Sequence, residues 1–247
     1  GAYVYYLDQD GDGYGGAVSF SDNPMLSTLA FPALETVDGD LYLDGNEGLT
    51  QFTAPVLGMV GDNLDIFSHE NLSVIQIATA SGLEVGYALR LYNTGALTSV
   101  QIPGLASAYD DLVFCSNTIN GSVVVGSAGP MEIGWDLYMG DQEGNFTFSA
   151  PGLESVDGEI YVHDNSGLTS FTAATGGGTA EVEYGVYFYS NQDLTTLALP
   201  KVSAVYDYVE FEDNPMLQSF NMAGLTEAYG LYLAANGSPD HPLTLSS

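Results

Sequence analysis

"GDLYLDGNEGLTQFTAPVLGMVG" (residues 39–61) holds two strand-like runs on either side of one asparagine. Leu41 and Leu43 alternate with Tyr42 and Asp44, so one pair faces inward and the other outward. Asn46 marks a turn, because its short amide bonds to nearby backbone and tolerates unusual φ/ψ. After it, Leu-Thr-x-Phe-x-x-Pro gives a second alternating run, and Pro55 bars a helix at that point.

The same pattern returns along the chain. Clear copies are "AVSFSDNPMLSTLAFPALETVDG" (17–39), "GEIYVHDNSGLTSFTAATG" (158–176), "GVYFYSNQDLTTLALPKVSAV" (185–205) and "DYVEFEDNPMLQSFNMAGLTEAYG" (207–230), with weaker ones between. The first apolar strand residues are Val18, Leu41, Leu64, Leu89, Leu112, Leu137, Ile160, Val186, Val209 and Leu231, ten copies spaced 22 to 26 residues apart. Five residues beyond each stand Asn23, Asn46, His69, Thr94, Asn117, Gln142, Asn165, Asn191, Asn214 and Asn236, seven of them Asn and all polar. One copy cannot bury its apolar edge alone, whereas ten stacked copies can. Stacking would also line these side chains into a ladder, each satisfying backbone of the next coil. No window has a sustained 3.6-residue period, so little helix is expected. The predicted fold is all-β, a right-handed parallel β-solenoid of about ten coils over residues 17–247. Residues 1–16 would form a separate N-terminal strand and loop.

These residues resemble the repeat of receptor L-domain proteins, which are leucine-rich-repeat-like solenoids found outside cells. The resemblance covers residues 17–245 and departs from the receptor pattern in lacking disulfides, since Cys115 is the only cysteine. It implies a secreted or cell-surface protein, of a bacterial kind, that binds or scaffolds rather than catalyses. The leader "YYLDQDGDGYGG" (5–16) is similar, separately, to Asp-rich calcium repeats of extracellular bacterial proteins.

In that leader Asp8, Asp10 and Asp12 supply carboxylates at alternating positions, with the Tyr14 carbonyl as a fourth oxygen. Gly11 and Gly13 allow the tight turn, but Ser19 stands where a complete EF-hand loop has Glu. The expected ion is calcium, completed by Asp22 or Asp38, and it would clip the first strand to the first coil.

Composition narrows the partners. The chain has 32 acidic residues against two basic ones, for a net charge of -30. Such a polyanion repels phosphate backbones and anionic membrane surfaces, so nucleic acid and direct membrane insertion are not expected. Outward strand positions collect Tyr42, Tyr92, Tyr138, Tyr161, His163, Tyr187 and Tyr189. Tyr pairs an apolar ring with a hydroxyl at small entropic cost, which suits glycan or protein recognition; it also simply favours strands. His69, His163 and His241 are far apart and no nucleophile signature accompanies them. The expected function is a non-enzymatic, calcium-binding adhesion module for a glycan or protein on a surface. The alternatives are a filament or surface-layer subunit that joins copies of itself end to end, and, third, a polysaccharide-acting solenoid enzyme.

Overall fold

A computed structural model describes residues 16–80 and 82–238. It is an all-β parallel solenoid of about nine turns, with no helix among the described residues. Each turn has three short strands, as in Leu41–Asp44, Gln51–Ala54 and Met59–Val60. Equivalent strands pair in parallel with the coils above and below: Leu41 registers with Val18 on one side and Leu64 on the other. The result is three ladders facing three directions. Two long strands, Val202–Glu212 and Glu227–Ala234, run through both the third and the first ladder. They join these two ladders into one 17-stranded sheet bent round a corner, beside a second sheet of nine strands.

The ten apolar residues read from sequence all lie on the first ladder, eight at the start of a strand and Val209 and Leu231 within the two long strands, but only nine second-ladder strands lie among the described residues. The expected ten coils therefore resolve as nine turns and one further strand. The third ladder was not expected. Its separate strands, such as Thr36–Val37 and Leu153–Val156, span only two to four residues, too short for alternation to declare itself.

The interior is a column of apolar side chains contributed by every ladder. Leu41, Leu43, Phe52 and Val60 of one coil are all fully buried. Phe148, Phe171, Phe188 and Phe211 continue the column as a line of rings, with centroids 4.7, 5.0 and 5.6 Å apart. Burial of each such side chain stabilises the fold by about 1.5–3 kcal/mol.

The polar ladder lies at the corner after the first strand. Asn46, His69, Thr94, Asn117, Gln142, Asn165, Asn191 and Asn214 are all buried. Asn191 Nδ2 donates to the Val162 carbonyl at 3.0 Å, and its Oδ1 accepts from Asn165 N–H at 3.3 Å and Asn165 Nδ2 at 2.8 Å. The backbone groups served thus belong to the preceding coil, not the following one. His69 and Thr94 interrupt this chain of amides, because His69 bonds instead to the Asn46 carbonyl at 3.3 Å and offers no amide to the neighbouring coil.

Each ladder residue follows one in the left-handed region, from Asp22 (φ 56°) through Gly45 (61°) and Ser190 (55°) to Ala235 (51°). This conformation turns the ladder side chain inward. It costs non-glycine residues roughly 1–2 kcal/mol, which the buried amide bonds offset.

Charge is distributed unevenly. None of the nine second-ladder strands contains Asp, Glu, Lys or Arg. Their outward rows read Ser99, Ser122, Thr147, Ser170 and Thr196, and beside them Gln101, Val124, Ser149, Thr172 and Ala198. The acidic residues crowd the other two faces and the corners.

Candidate functional site

The calcium-loop residues Asp8, Asp10, Asp12 and Tyr14 lie outside the described residues. Among the described residues, no group of three or more His, Cys, Asp or Glu side chains is placed to hold a metal ion.

The aromatic positions on the first ladder are described, and they form two groups rather than one surface. Tyr42, Phe67 and Tyr92 follow one another with centroids 5.5 and 5.2 Å apart. Tyr138, Tyr161 and Tyr187 form the second ribbon at 5.9 and 6.1 Å. His163 and Tyr189 close its side, with His163 4.7 Å and Tyr189 5.9 Å from Tyr161. The coil carrying Val113 and Cys115 separates the groups. All seven candidate side chains are half-buried rather than freely exposed. Each strand holds its ring against the ring of the previous coil at a tilted or edge-to-face angle, from 33° to 76°, so each ring covers part of the next. Such pairs contribute about 0.5–1.5 kcal/mol each beyond burial.

Several hydroxyls are already engaged. Tyr42 donates to Asp44 at 3.2 Å, and Tyr189 donates to Glu210. Burial, then the Glu210 carboxylate it donates to, pushes the Tyr189 phenol well above its ordinary range. Burial, with Asp207 and Glu159 nearby, pushes Tyr187 up to about 12. Both phenols therefore stay protonated donors at any physiological pH. His163 links two groups: its Nδ1 lies 2.9 Å from Asp164 Oδ2 and its Nε2 lies 2.7 Å from the Tyr138 hydroxyl. The arrangement that satisfies every atom has Nδ1–H donating to Asp164 and Tyr138 donating to Nε2. Gly140 makes it possible, because a Cβ there would fall 2.7 Å from His163 Nε2 and 2.9 Å from the Tyr138 oxygen. The pair orients a phenol on an open sheet surface.

Arg90 sits on the same ladder, 3.6 Å from Asp65 Oδ1 and 3.1 Å from Asn63 Oδ1. Asp65 is buried, and desolvation raises its pKa to about 6, with Arg90 opposing and Asp40 adding to the rise.

Sequence reading missed a second set of aromatics. Tyr87, Tyr109, Trp135, Tyr184, Tyr206 and Tyr229 are exposed, at the corner between the third and first ladders. Tyr187 approaches this corner, its ring lying where a Cβ on Gly185 would be. Tyr87, Tyr109, Trp135 and Tyr184 occupy turn positions, outside any alternating strand pattern, whereas Tyr206 and Tyr229 lie within the two long strands. The recurring Gly-Tyr, Gly-Trp and Glu-Tyr at 86–87, 134–135 and 183–184 was the signal available. Shallow grooves mark the opposite corner of the third ladder; one of about 330 Å³ is lined by residues 127–130, 151–154 and 176–178.

Comparison with known proteins adds no family to this architecture: no family model, no curated protein and no solved structure matches the chain.

Proposed function

We propose that the protein is an extracellular, non-enzymatic binding module that uses the aromatic ribbon of its first ladder to hold a glycan or a protein on a surface. The observation that carries this reading is the ribbon of Tyr138, Tyr161 and Tyr187 with His163 and Tyr189, set on a rigid parallel sheet. The half-buried rings and protonated phenols supply apolar contact and donors together, and Glu210 and Asp164 supply acceptors beside them. Rigidity lowers the entropic cost of binding. A calcium ion held by Asp8, Asp10, Asp12 and the Tyr14 carbonyl would fasten the N-terminal segment to the first coil.

The test is binding to an array of glycans and surface proteins by the parent and by Tyr161→Ala and Tyr187→Ala. Loss of binding with the far-UV spectrum intact supports the reading, and a parent that binds nothing on either array sinks it. For the ion, Asp10→Ala is expected to abolish any rise in melting temperature on adding calcium. A rise of the same size in the variant refutes the clip.

A further inference from the structure

In space the repeat is two coils, not one. From Leu41 to Val209 the spacings between first-ladder starts run 23, 25, 23, 25, 23, 26 and 23 residues. The longer coils turn differently after the second strand. Ala78, Gly126 and Ala174 stand there at φ of 47°, 53° and 49°. The shorter coils place Pro55, Pro103, Pro151 and Pro200 at the same step.

The alternation reaches the third face. Outward on the third ladder, Glu84, Glu132 and Glu181 belong to the longer coils, and the coils between them place Ser107 and Ser155 in the same row. Three residues after each Glu comes an exposed aromatic: Tyr87 (56% exposed), Trp135 (49%) and Tyr184 (49%). Backbone hydrogen bonds fix these in one line, because Asp110 N–H donates to the Tyr87 carbonyl, Trp135 to Asp110, Gly158 to Trp135 and Tyr184 to Gly158. Gly86 and Gly134, just before two of the rings, press flush on the coil beneath. A Cβ would fall 1.9 Å from the Gly61 carbonyl oxygen and 2.3 Å from that of Tyr109.

The face therefore carries three related stations, each pairing a third-ladder Glu with an aromatic every two coils; Tyr109 and Tyr206 stand exposed on coils between, and the Tyr206 hydroxyl donates to Glu181 at 3.5 Å. With strands about 4.8 Å apart, the backbones of neighbouring stations lie about 9.6 Å apart, and the Trp135 and Tyr184 rings lean across that gap to 6.0 Å. We propose that these stations bind a neutral, linear, β-linked polysaccharide laid along the solenoid axis, one disaccharide to a station.

A repeating row of similar sites fits a repeating polymer, and a backbone spacing of two coils matches the rise of two sugars in an extended β-linked chain. An aromatic face takes the apolar face of a sugar ring, and a carboxylate accepts from its hydroxyls. Trp135 and Tyr184 incline toward each other over Gly158, centroids 6.0 Å apart at 53°, so a ring seated there touches both. No Lys or Arg lies in the outward row or in the aromatic line, which denies an anionic chain any counter-charge on a molecule of net -30. A cationic polymer would be drawn to acids all over the first and third faces, with no preference for the stations. The stations are distinct from the first-ladder ribbon and do not depend on it.

Trp135 is the only tryptophan of the chain, so its emission reports on the middle station. The probes are β-1,4-linked oligomers of glucose and of N-acetylglucosamine, two, four and six sugars long. The emission is expected to shift, with affinity rising roughly tenfold or more from two to six sugars as further stations engage. Tyr184→Ala should weaken the six-sugar complex roughly tenfold, and Glu132→Gln severalfold, whereas Thr53→Ala on the second face should change nothing. Calorimetry of Trp135→Ala, with its fold checked by far-UV spectroscopy, should show the loss independently. No emission change with any of these oligomers overturns the proposal, as does an affinity independent of chain length. A response to oligoarginine alone, abolished by high salt, overturns it in favour of a cationic partner.

Discussion

Replacing Asn191 by Ala removes four hydrogen bonds from the middle of the polar ladder. Its Oδ1 no longer accepts from Asn165 N–H and Nδ2, and its Nδ2 no longer donates to the Val162 carbonyl and Asn214 Oδ1. The Asn165 side chain keeps its bond to the Met139 carbonyl, and Asn214 Oδ1 keeps the Asn191 N–H. The Asn165 N–H, however, has no other acceptor within a corner that is fully buried on both sides. An orphaned buried donor costs roughly 1–3 kcal/mol and each of the three other lost bonds about 0.5–1.5 kcal/mol, so the expected loss is about 2.5–7.5 kcal/mol. That is a large share of a typical domain's 5–15 kcal/mol or so. Asn23→Ala is the internal comparison. Asn23 is exposed and makes related bonds to Asn46 Oδ1 and the Ser21 carbonyl, where water can substitute, so its expected loss is below about 1 kcal/mol. Urea unfolding followed by far-UV circular dichroism measures both, with the slope checked because a stack of repeats can unfold in stages. If Asn191→Ala costs no more than Asn23→Ala, the ladder does not hold the coils together and the reasoning fails.

Other outcomes follow from local geometry. Asp65 has a folded pKa near 6, above its value of 3.8 in an unfolded chain, so its contribution is present below the lower value and is lost as pH rises to the higher. The parent should lose stability between about pH 4 and pH 6 by more than Asp65→Asn does; equal slopes would show that the carboxylate is solvated. Ser190→Gly relieves a left-handed side chain at φ 55° and should gain about 1 kcal/mol after the added freedom of the unfolded chain is deducted. A melting temperature that falls would place the strain elsewhere.

What sequence revealed depended on how each signal was written. The first ladder was legible because Leu41-x-Leu43 and its equivalents alternate, and because Asn46 and its counterparts hold a fixed distance from them. The direction in which the amides act was not legible, since spacing does not say whether Asn191 reaches back to Val162 or forward. The third ladder hid in pieces such as Thr36–Val37, two residues that any turn could contain. The Tyr positions were placed on the right ladder, but packing one ring against the next half-buries them. A list of outward residues does not show that cover. The stations at Tyr87, Trp135 and Tyr184 stayed hidden for another reason. Aligning coils at a single period treats 23 against 25 residues as noise, whereas the difference carries the two-coil order.

The absence of charge on the second sheet has a consequence for how the molecule stands in its surroundings. A body of net -30 with one neutral side has a lateral electrical asymmetry along its whole length. Near any anionic boundary, repulsion acts on two sides and is nearly absent on the third, within a Debye length of about 8–10 Å. The lowest-energy approach turns the Ser/Thr/Ala side toward the boundary and the aromatic, acidic sides away from it. Posture near such a boundary is thus written into the coil repeat itself.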